Sequence, residues 1–517
     1  MTAAAAAAAP ATRPANADLA AWLAVAAGTI GALMAMLDIS IVNSALPTIQ
    51  GEIGATATEG TWVATSYLVA EIIIIPLSGW LDRIFGLRTF LLIATVLFIA
   101  FSMVCGLSTN LTMMVLGRIG QGLTGGAMIP TGMMIIATRL PPHQQPVGMA
   151  VFGSMVVFGP VLGPLVGGWL ADEVSWRWAF FLNLPLGIIL IGLLVVALPH
   201  RRLQLEYLRD ADWLGVIGMT LGLGALTALL EEGQREQWFQ SNIIWYLAIA
   251  SAFGFLLLFL GQKTASKPVI RLDLLRNWQF GSVVALTVAN GMIFYGTCYA
   301  IPQFLATIAG HTAFQAGLIV LWMGLPSMVL MGLTPLMMRV FDIRLVVAVG
   351  MALITIGCLI DIGLTASSVG SDFVATQLLR GTGLVLTMMF LNQAAVSSVP
   401  PELAGDASGL FNAARNLGGS FALAGIATLQ DQRFWFHSRR LEESLAANAV
   451  AVQDHLSALG SQFGDAAMRL MSSVLQQQAL TMTYIDLFWV MTVGNLLVFP
   501  LLFFLKPLPK ELAVAMH

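Results

Sequence analysis

Long apolar runs separated by short polar loops make up most of the chain, and each run is close to the 20 or so residues a helix needs to cross a bilayer core. Fourteen spans are predicted on this basis: 20–46, 62–80, 90–106, 113–137, 147–171 and 178–198, then 213–230 and 243–261, then 280–306, 315–337, 345–364, 373–396, 407–429 and 485–505. An even number places both termini on one side. The one long polar excursion, 430–484, carries Leu441, Leu445, Val452, Leu456, Leu459, Leu470 and Leu475, a spacing that predicts amphipathic helices. Ahead of the first span, the alanine run from Met1 to Asp18 contains Pro10 and Pro14 and lacks a basic leader, so a disordered tail over 1–19 is expected rather than a cleaved signal peptide.

Composition agrees with the pattern. Hydrophobic residues are 58% of the chain and charged residues 10%, far from the roughly 25% charged of soluble domains, which makes this a polytopic all-α membrane protein. A net charge of −3 over 517 residues argues against nucleic acid as a partner. Cys105, Cys298 and Cys358 all fall in apolar segments and read as packing residues. No His, Cys and carboxylate cluster at catalytic or metal spacing appears, so no enzyme activity, metal or cofactor is expected. A GxxxxGK[ST] phosphate loop is also absent, which leaves an ion gradient as the energy source. Of the 24 Lys and Arg residues, fifteen fall in loops on one side and six on the other, four of these in the long loop that the rule discounts. Both termini are therefore expected in the cytoplasm. The remaining three, Arg118, Arg380 and Arg415, lie within spans.

An internal repeat accounts for the number of spans. Arg83 to Arg88, RIFGLR, returns 256 residues later as Arg339 to Arg344, RVFDIR. Pro141, Pro142, Phe152 and Gly159 return 259 residues later as Pro400, Pro401, Phe411 and Gly418. Six spans are duplicated and two lie between the copies, predicting a six-helix unit over 20–198, a two-helix insertion over 199–277 and a second six-helix unit over 278–517. Parallel repeats of six place a substrate site near the midplane between the halves.

Several motifs carry more specific information. The fifth span contains GPVLGPLVGG, with Gly159, Pro160, Gly163, Pro164, Gly167 and Gly168, six small or helix-breaking residues in ten. Such a segment predicts a bent, closely packed membrane helix, because neighbouring helices satisfy freed backbone groups and small residues let backbones approach. The first span has LDISIVNSALP (37–47), the loop after the second has GWLDRIFGLR (79–88), the fourth has LGRIGQG (116–122), and WRWAFFLNLPLG (176–187) enters the sixth. In this order the motifs resemble the EmrB/QacA type of fourteen-helix drug:proton antiporters of the major facilitator superfamily, over nearly the whole chain. The resemblance implies the major facilitator fold in a bacterial inner (cytoplasmic) membrane and names the fifth-span segment as the antiporter motif. It implies a cytoplasmic gate at Gly79, Asp82, Arg83, Gly86 and Arg88, with Asp82 pairing with Arg83 and Arg88; ordinary positive-inside anchoring is the other reading. The second copy departs from the pattern, with Asp342 in place of Gly86 and no acidic match for Asp82, so a lopsided gate is expected.

Charges at bilayer depth cost roughly 2.5–3.5 kcal/mol on insertion scales and mark pathways. At 1.5 Å per residue Asp38 lies about 12 Å, Glu71 about 14 Å and Arg118 about 8 Å from the periplasmic ends of their helices. In the resembled fold these three helices border the central cavity, so Asp38, Glu71 and Arg118 are expected to share one network. Asp38 is the expected proton-coupling carboxylate, Glu71 a second proton site or the anion that attracts a cationic drug, and Arg118 the group that tunes both. A static salt bridge between the first and fourth helices is the alternative. Asp361, near the end of the eleventh span, is expected at the interface, Arg380 has no carboxylate nearby in sequence, and Arg415 has Asn412 and Asn416 as neighbours. Structural roles are expected for both arginines.

The expected substrate region combines Asp38 and Glu71 with Asn290, Phe294, Tyr295, Tyr299 and Gln303 of the ninth span and Met388, Met389, Asn392 and Gln393 of the twelfth, aromatic and flexible residues with a few polar groups. For the loop 430–484 the resemblance implies docking to a periplasmic adaptor that leads to an outer-membrane channel, with a mobile lid over the exit as the alternative. The function this predicts is proton-coupled efflux of small hydrophobic or cationic compounds by alternating access. A narrow-substrate metabolite, fatty-acid or lipid exporter on the same fold is the alternative.

Overall fold

Every predicted span coincides with a helix or a pair of helices. A computed structural model of the protein describes residues 16–201, 203–204, 206, 211–265, 268–447 and 467–505. Most of the predicted N-terminal tail lies outside the described residues, as do Val452, Leu456 and Leu459 of the long loop. The principal helices are α1 (Leu19–Ile53), α2 (Trp62–Phe85), α3 (Leu87–Gly106), α4 (Leu111–Gly125), α5 (Met128–Arg139), α6 (Gln145–Trp169) and α7 (Asn183–Ala197). After α8 (Trp213–Glu232) and α9 (Asn242–Thr264) come α10 (Trp278–Thr307), α11 (Ala313–Val340), α12 (Ile343–Asp361), α13 (Phe373–Ser397), α14 (Ala404–Ala447) and α15 (Ala467–Val498).

Among the described residues eleven helices are long and apolar enough to cross a bilayer, and a pair bent by 58° between Leu330 and Gly332 makes twelve. Pro335 explains the bend, because it removes an N–H that would bond four residues back. The two other predicted spans fall short of that measure for identifiable reasons. The fourth is split at Gly126 and Ala127, where Pro130 denies the Gly126 carbonyl its helical donor, and it becomes α4 and α5. The thirteenth lies in α14, whose Asn412, Arg415 and Asn416 lower its apolar character. Local signals set the ends: Asp18 caps α1 by accepting from the Ala21 amide at 2.8 Å, and Gly54 closes it in the left-handed region at φ +71°.

Two seams join the first six spans to the last six. In one, α6 packs against α11 and α13; in the other, α2 and α5 pack against α14. The hairpin of α8 and α9 lies over the second seam, with α8 touching both α2 and α14. The fifth-span motif runs between α1 and the first seam. It is not broken at its prolines; α6 runs through Pro160 and Pro164 as one helix and relaxes into a π turn only at Leu170–Val174. Its glycines form the contact face with α1: a Cβ on Gly159 would lie 2.7 Å from Met36 Cβ, one on Gly163 2.8 Å from the Ser40 carbonyl carbon, and one on Gly167 2.7 Å from Ile41 O. Gly168 is buried beside them. Ser40 Oγ donates to Pro160 O at 2.9 Å, using a carbonyl that the proline-rich segment leaves available. On the opposite side α11 contributes Gly317, whose added Cβ would stand 2.8 Å from Leu165 N. The helix is thus held between two neighbours at backbone contact.

The long polar excursion is largely helix. α14 continues through Leu441 and Leu445 to Ala447, and α15 includes Leu470 and Leu475. Asp486 of α15 accepts from Arg433 Nε at 2.6 Å and meets His437 Nε2 at 2.7 Å, tying the two helices together.

Gly163→Ala is expected to lower the melting temperature of the purified protein, since overpacking costs typically 1–3 kcal/mol. Gly192→Ala in α7, where a Cβ meets nothing within 4 Å, is expected to leave it unchanged. Equal melting curves for the two variants would remove the packing role assigned to Gly163.

Candidate functional site

Glycines seat α4, which carries a long buried cation, against two neighbouring helices. A Cβ on Gly117 would meet Cys105 Sγ at 2.5 Å, one on Gly120 the Phe101 ring at 2.3 Å, and one on Gly122 Tyr67 O at 2.4 Å, so α4 lies at contact distance on α3 and α2. Its Arg118 and Gln121, three residues apart on one face, both reach Asp38 of α1. Arg118 Nη1 donates to Asp38 Oδ2 at 2.5 Å and Gln121 Nε2 donates to Oδ1 at 2.9 Å. Asn183, at the start of α7, adds a third donor at 2.7 Å to Oδ1 and holds Ser102 Oγ at 2.9 Å. Arg118 is further fixed by Nε donating to Val63 O at 3.0 Å and by the Tyr67 ring, 4.2 Å from its guanidinium. Asp38 is 1% exposed and Arg118 fully buried.

Both oxygens of the Asp38 carboxylate are therefore engaged. Asn183 was legible only as part of the WRWAFFLNLPLG motif, and nothing in its sequence context assigned it to Asp38. Met36, Ile39 and Ser40 of the same helix line a cavity of about 540 Å³ between the two halves, while Asp38 turns away from it into the first six-span bundle.

Glu71 does not join this cage. Although 1% exposed and at similar depth, it faces Asn416 and Arg415 of α14 across the second seam. Tyr295 completes the group: its hydroxyl donates to Asn416 Oδ1 at 3.3 Å, beside Arg415. Height along a helix does not fix the direction in which a side chain points, and the grouping by depth is corrected accordingly. Arg415 is likewise corrected from a residue supported by its helix neighbours to one directed at the opposite half.

The cavity occupies the half of the interface away from Arg83. Of the expected substrate residues, Tyr295, Tyr299 and Gln303 line it, with Asn43, Pro160 and Pro164 opposite. Phe294 instead packs edge-on against Tyr295 at 5.2 Å within the core, and Asn290 is buried with neither amide atom partnered among the described residues. Met389 and Asn392 lie against Gly153 of α6, whose added Cβ would stand 3.2 Å from Met389 Cγ, in the closed half. These four are corrected from cavity wall to core or seam.

That closed half contains the gate motif. A Cβ on Gly79 would lie 2.9 Å from the Gly405 carbonyl carbon, so α2 and α14 touch through two glycines. Arg83 closes over them by a bidentate pair to Asp406 Oδ1 and Oδ2 at 3.1 and 2.9 Å. The expected pairing of Asp82 with Arg83 and Arg88 is corrected: Asp82 sits among Arg201, Arg83 and Arg139 with no ion pair among the described residues, and Arg88 donates to Leu198 O at 3.2 Å. The second copy repeats that last contact, Arg344 Nε donating to Leu505 O at 2.6 Å. Its departure at Asp342 also has a local reason. Gly86 adopts φ +74°, whereas Asp342 stays extended at φ −66° and caps α12 through the Arg344 amide at 2.8 Å.

A second buried ion pair was not expected. Asp361, 1% exposed, is bound by Arg380 of α13, which also donates to Thr376 Oγ1 at 3.0 Å. Asp361 is corrected from an interfacial residue and Arg380 from one without a carboxylate. The signal lay in the repeat, because Asp361 follows Cys105 by the same 256 residues that separate the two gate motifs. Asp361→Asn is expected to destabilise the protein by about 3–5 kcal/mol through the unpaired Arg380. The double variant with Arg380→Gln is expected to regain part of this, as read by thermal melting. A single variant as stable as the parent would contradict the pairing.

Known proteins share both sequence and shape with this chain. Residues 28–423 match the sequence profile of the Major Facilitator Superfamily. The "Colistin resistance protein EmrB" of Acinetobacter baumannii is 31% identical, aligned over 90% of this chain and 93% of its own length. The "Multidrug export protein EmrB" of Escherichia coli is 29% identical, with 93% of this chain and 94% of that protein aligned. The "Fatty acid resistance protein FarB" of Neisseria gonorrhoeae is 28% identical over 94% of this chain and 96% of its own. Among solved structures, the human organic anion transporter MFSD10 superposes with a TM-score of 0.58 at 16% identity, covering 92% of this chain and 99% of that one. The repeat, the two seams, the motifs and these likenesses agree: the chain is a multi-pass membrane protein of the Major Facilitator Superfamily and groups within it with the EmrB proteins.

Proposed function

We propose that this protein is a proton-coupled exporter of hydrophobic or cationic compounds, working by alternating access in a bacterial inner membrane with both termini in the cytoplasm. The observation that carries the reading is Asp38, a buried carboxylate held by Arg118, Gln121 and Asn183 directly behind the wall of the cavity between the halves. The names of the relatives support it, since two are EmrB proteins of drug resistance or export.

With the Arg83 end in the cytoplasm, the cavity faces the periplasm and the Gly79–Gly405 contact is the closed cytoplasmic gate. A proton entering past Ser40 and Asn43 neutralises Asp38 and removes the partner of Arg118, so the donors around Asp38 rearrange and the packing of α1 against α4 changes. Release of that proton to the cytoplasm restores the cage. Arg118 tunes this exchange, and Glu71, apart from it at the second seam, attracts cationic substrates. One elementary charge crossing 100 mV supplies about 2.3 kcal/mol, which sustains a gradient of about 50-fold per proton. The six-helix units 20–198 and 278–517 are the rocking bodies, and 199–277 rides between them. The far end of α14 is the surface that a periplasmic adaptor would reach on the way to an outer-membrane channel.

In liposomes with an imposed pH gradient, the wild type is expected to move a fluorescent lipophilic cation. Asp38→Asn, correctly inserted, is expected to lose the gradient-driven component while keeping downhill exchange. Full pH-driven transport by Asp38→Asn would end the coupling role.

A further inference from the structure

The seam between α2 and α14 holds a pair of opposite charges that the Asp38 cage does not use. Glu71, 1% exposed, belongs to the first half and Arg415, 2% exposed, to the second. They face one another, yet no ion pair within 4.0 Å joins them. Each has unused capacity. Glu71 Oε1 and Arg415 Nε and Nη2 are buried without a hydrogen-bond partner among the described residues. Both amide atoms of Asn290 are in the same condition, and the next residue, Gly291, lies against the Arg415 backbone, an added Cβ standing 2.4 Å from Arg415 O.

Buried charged groups are ordinarily satisfied, and several orphaned atoms gathered in one place describe a site that something else completes. The other charges nearby, Asp38 and Arg118, neutralise each other at 2.5 Å, so the field at the site is set by Glu71 and Arg415 themselves. Tyr295 stands at the entrance: it lines the apolar cavity, and its hydroxyl donates to Asn416 Oδ1, next to Arg415 in sequence.

We propose that Glu71 and Arg415 together bind the head of a zwitterionic amphiphile, its ammonium at Glu71 and its carboxylate on the Arg415 fork, with the tail in the apolar cavity above Tyr295. A simple cation completes Glu71 and leaves Arg415 unmatched; a simple anion does the reverse. A dipolar head completes both, and the planar guanidinium suits a carboxylate in two-point contact. Because one charge sits on each half, such a ligand also draws the halves together at the seam, which is what a transported substrate must do to bias the next conformation.

The proposal rests on the exporter reading, and its test separates the two. Binding of three ligands with the same twelve-carbon tail is measured by titration calorimetry on the full chain in nanodiscs: N-dodecyl-N,N-dimethylglycine, dodecyltrimethylammonium and laurate. The zwitterion is expected to bind about ten-fold more tightly than either singly charged ligand. Glu71→Gln and Arg415→Gln are each expected to remove that advantage, the first sparing laurate and the second sparing the cation. Arg415→Lys, which keeps the charge, is expected to retain part of it and guards against a folding defect. A zwitterion that binds no better than the cation overturns the proposal and leaves the exporter reading standing. Equal weakening of all three ligands by Arg415→Gln assigns that residue to packing and also overturns it. A wild type that binds none of the three removes the exporter reading for amphiphiles together with the proposal.

Discussion

A charge inside the hydrocarbon layer has to be compensated within the protein, and this requirement organises the structure more than any other. Asp38 is held by three donors, one of them Arg118, and Arg380 is held by Asp361. Glycines support both: Gly117, Gly120 and Gly122 seat the Arg118 helix on α3 and α2, and Gly357, whose added Cβ would stand 2.8 Å from Arg380 Cγ, leaves room for the second pair. The small residues and the buried charges are therefore one design, in which backbone proximity substitutes for the solvation that lipid cannot provide.

The two halves use the same principle differently. In the first, Arg118 reaches α1 next to the cavity wall, while the position related by the repeat to Asp361 is Cys105, a weak donor to Gln121 at 3.3 Å. In the second, the carboxylate stands on α12 and Arg380 is paired inside its own bundle, away from the cavity lining. One half thus has its ion pair behind the cavity wall and the other has its ion pair sealed in the core. The seams diverge as well. The α6–α11 seam is made by small residues, whereas the α2–α14 seam carries Glu71, Arg415, Asn416 and the Arg83–Asp406 pair. The α8–α9 hairpin covers this polar seam, and Glu232 of α8 accepts from Thr65 of α2 at 3.1 Å while Trp238 beyond it donates to Thr428 of α14 at 3.0 Å.

The sequence by itself determined the all-helical class and the position of each helix, and carried the repeated loop motifs, because apolar length and spacing are set by the bilayer and are local properties of the chain. It also marked Asp38, Arg118, the α6 glycines and the Gly79–Arg88 segment, since ionisable and small residues are conspicuous in apolar runs. Azimuth and partnership were decided only by the tertiary structure. Depth arithmetic put Glu71 with Asp38, but helix rotation turned it to Asn416 and Arg415. Arg83 had Asp82 beside it in sequence and took Asp406, 323 residues away. Asn183 completed the Asp38 cage from a motif that gave no hint of it. A contact between helices depends on which face each presents and how closely they pack, and neither is written in the order of residues along one helix.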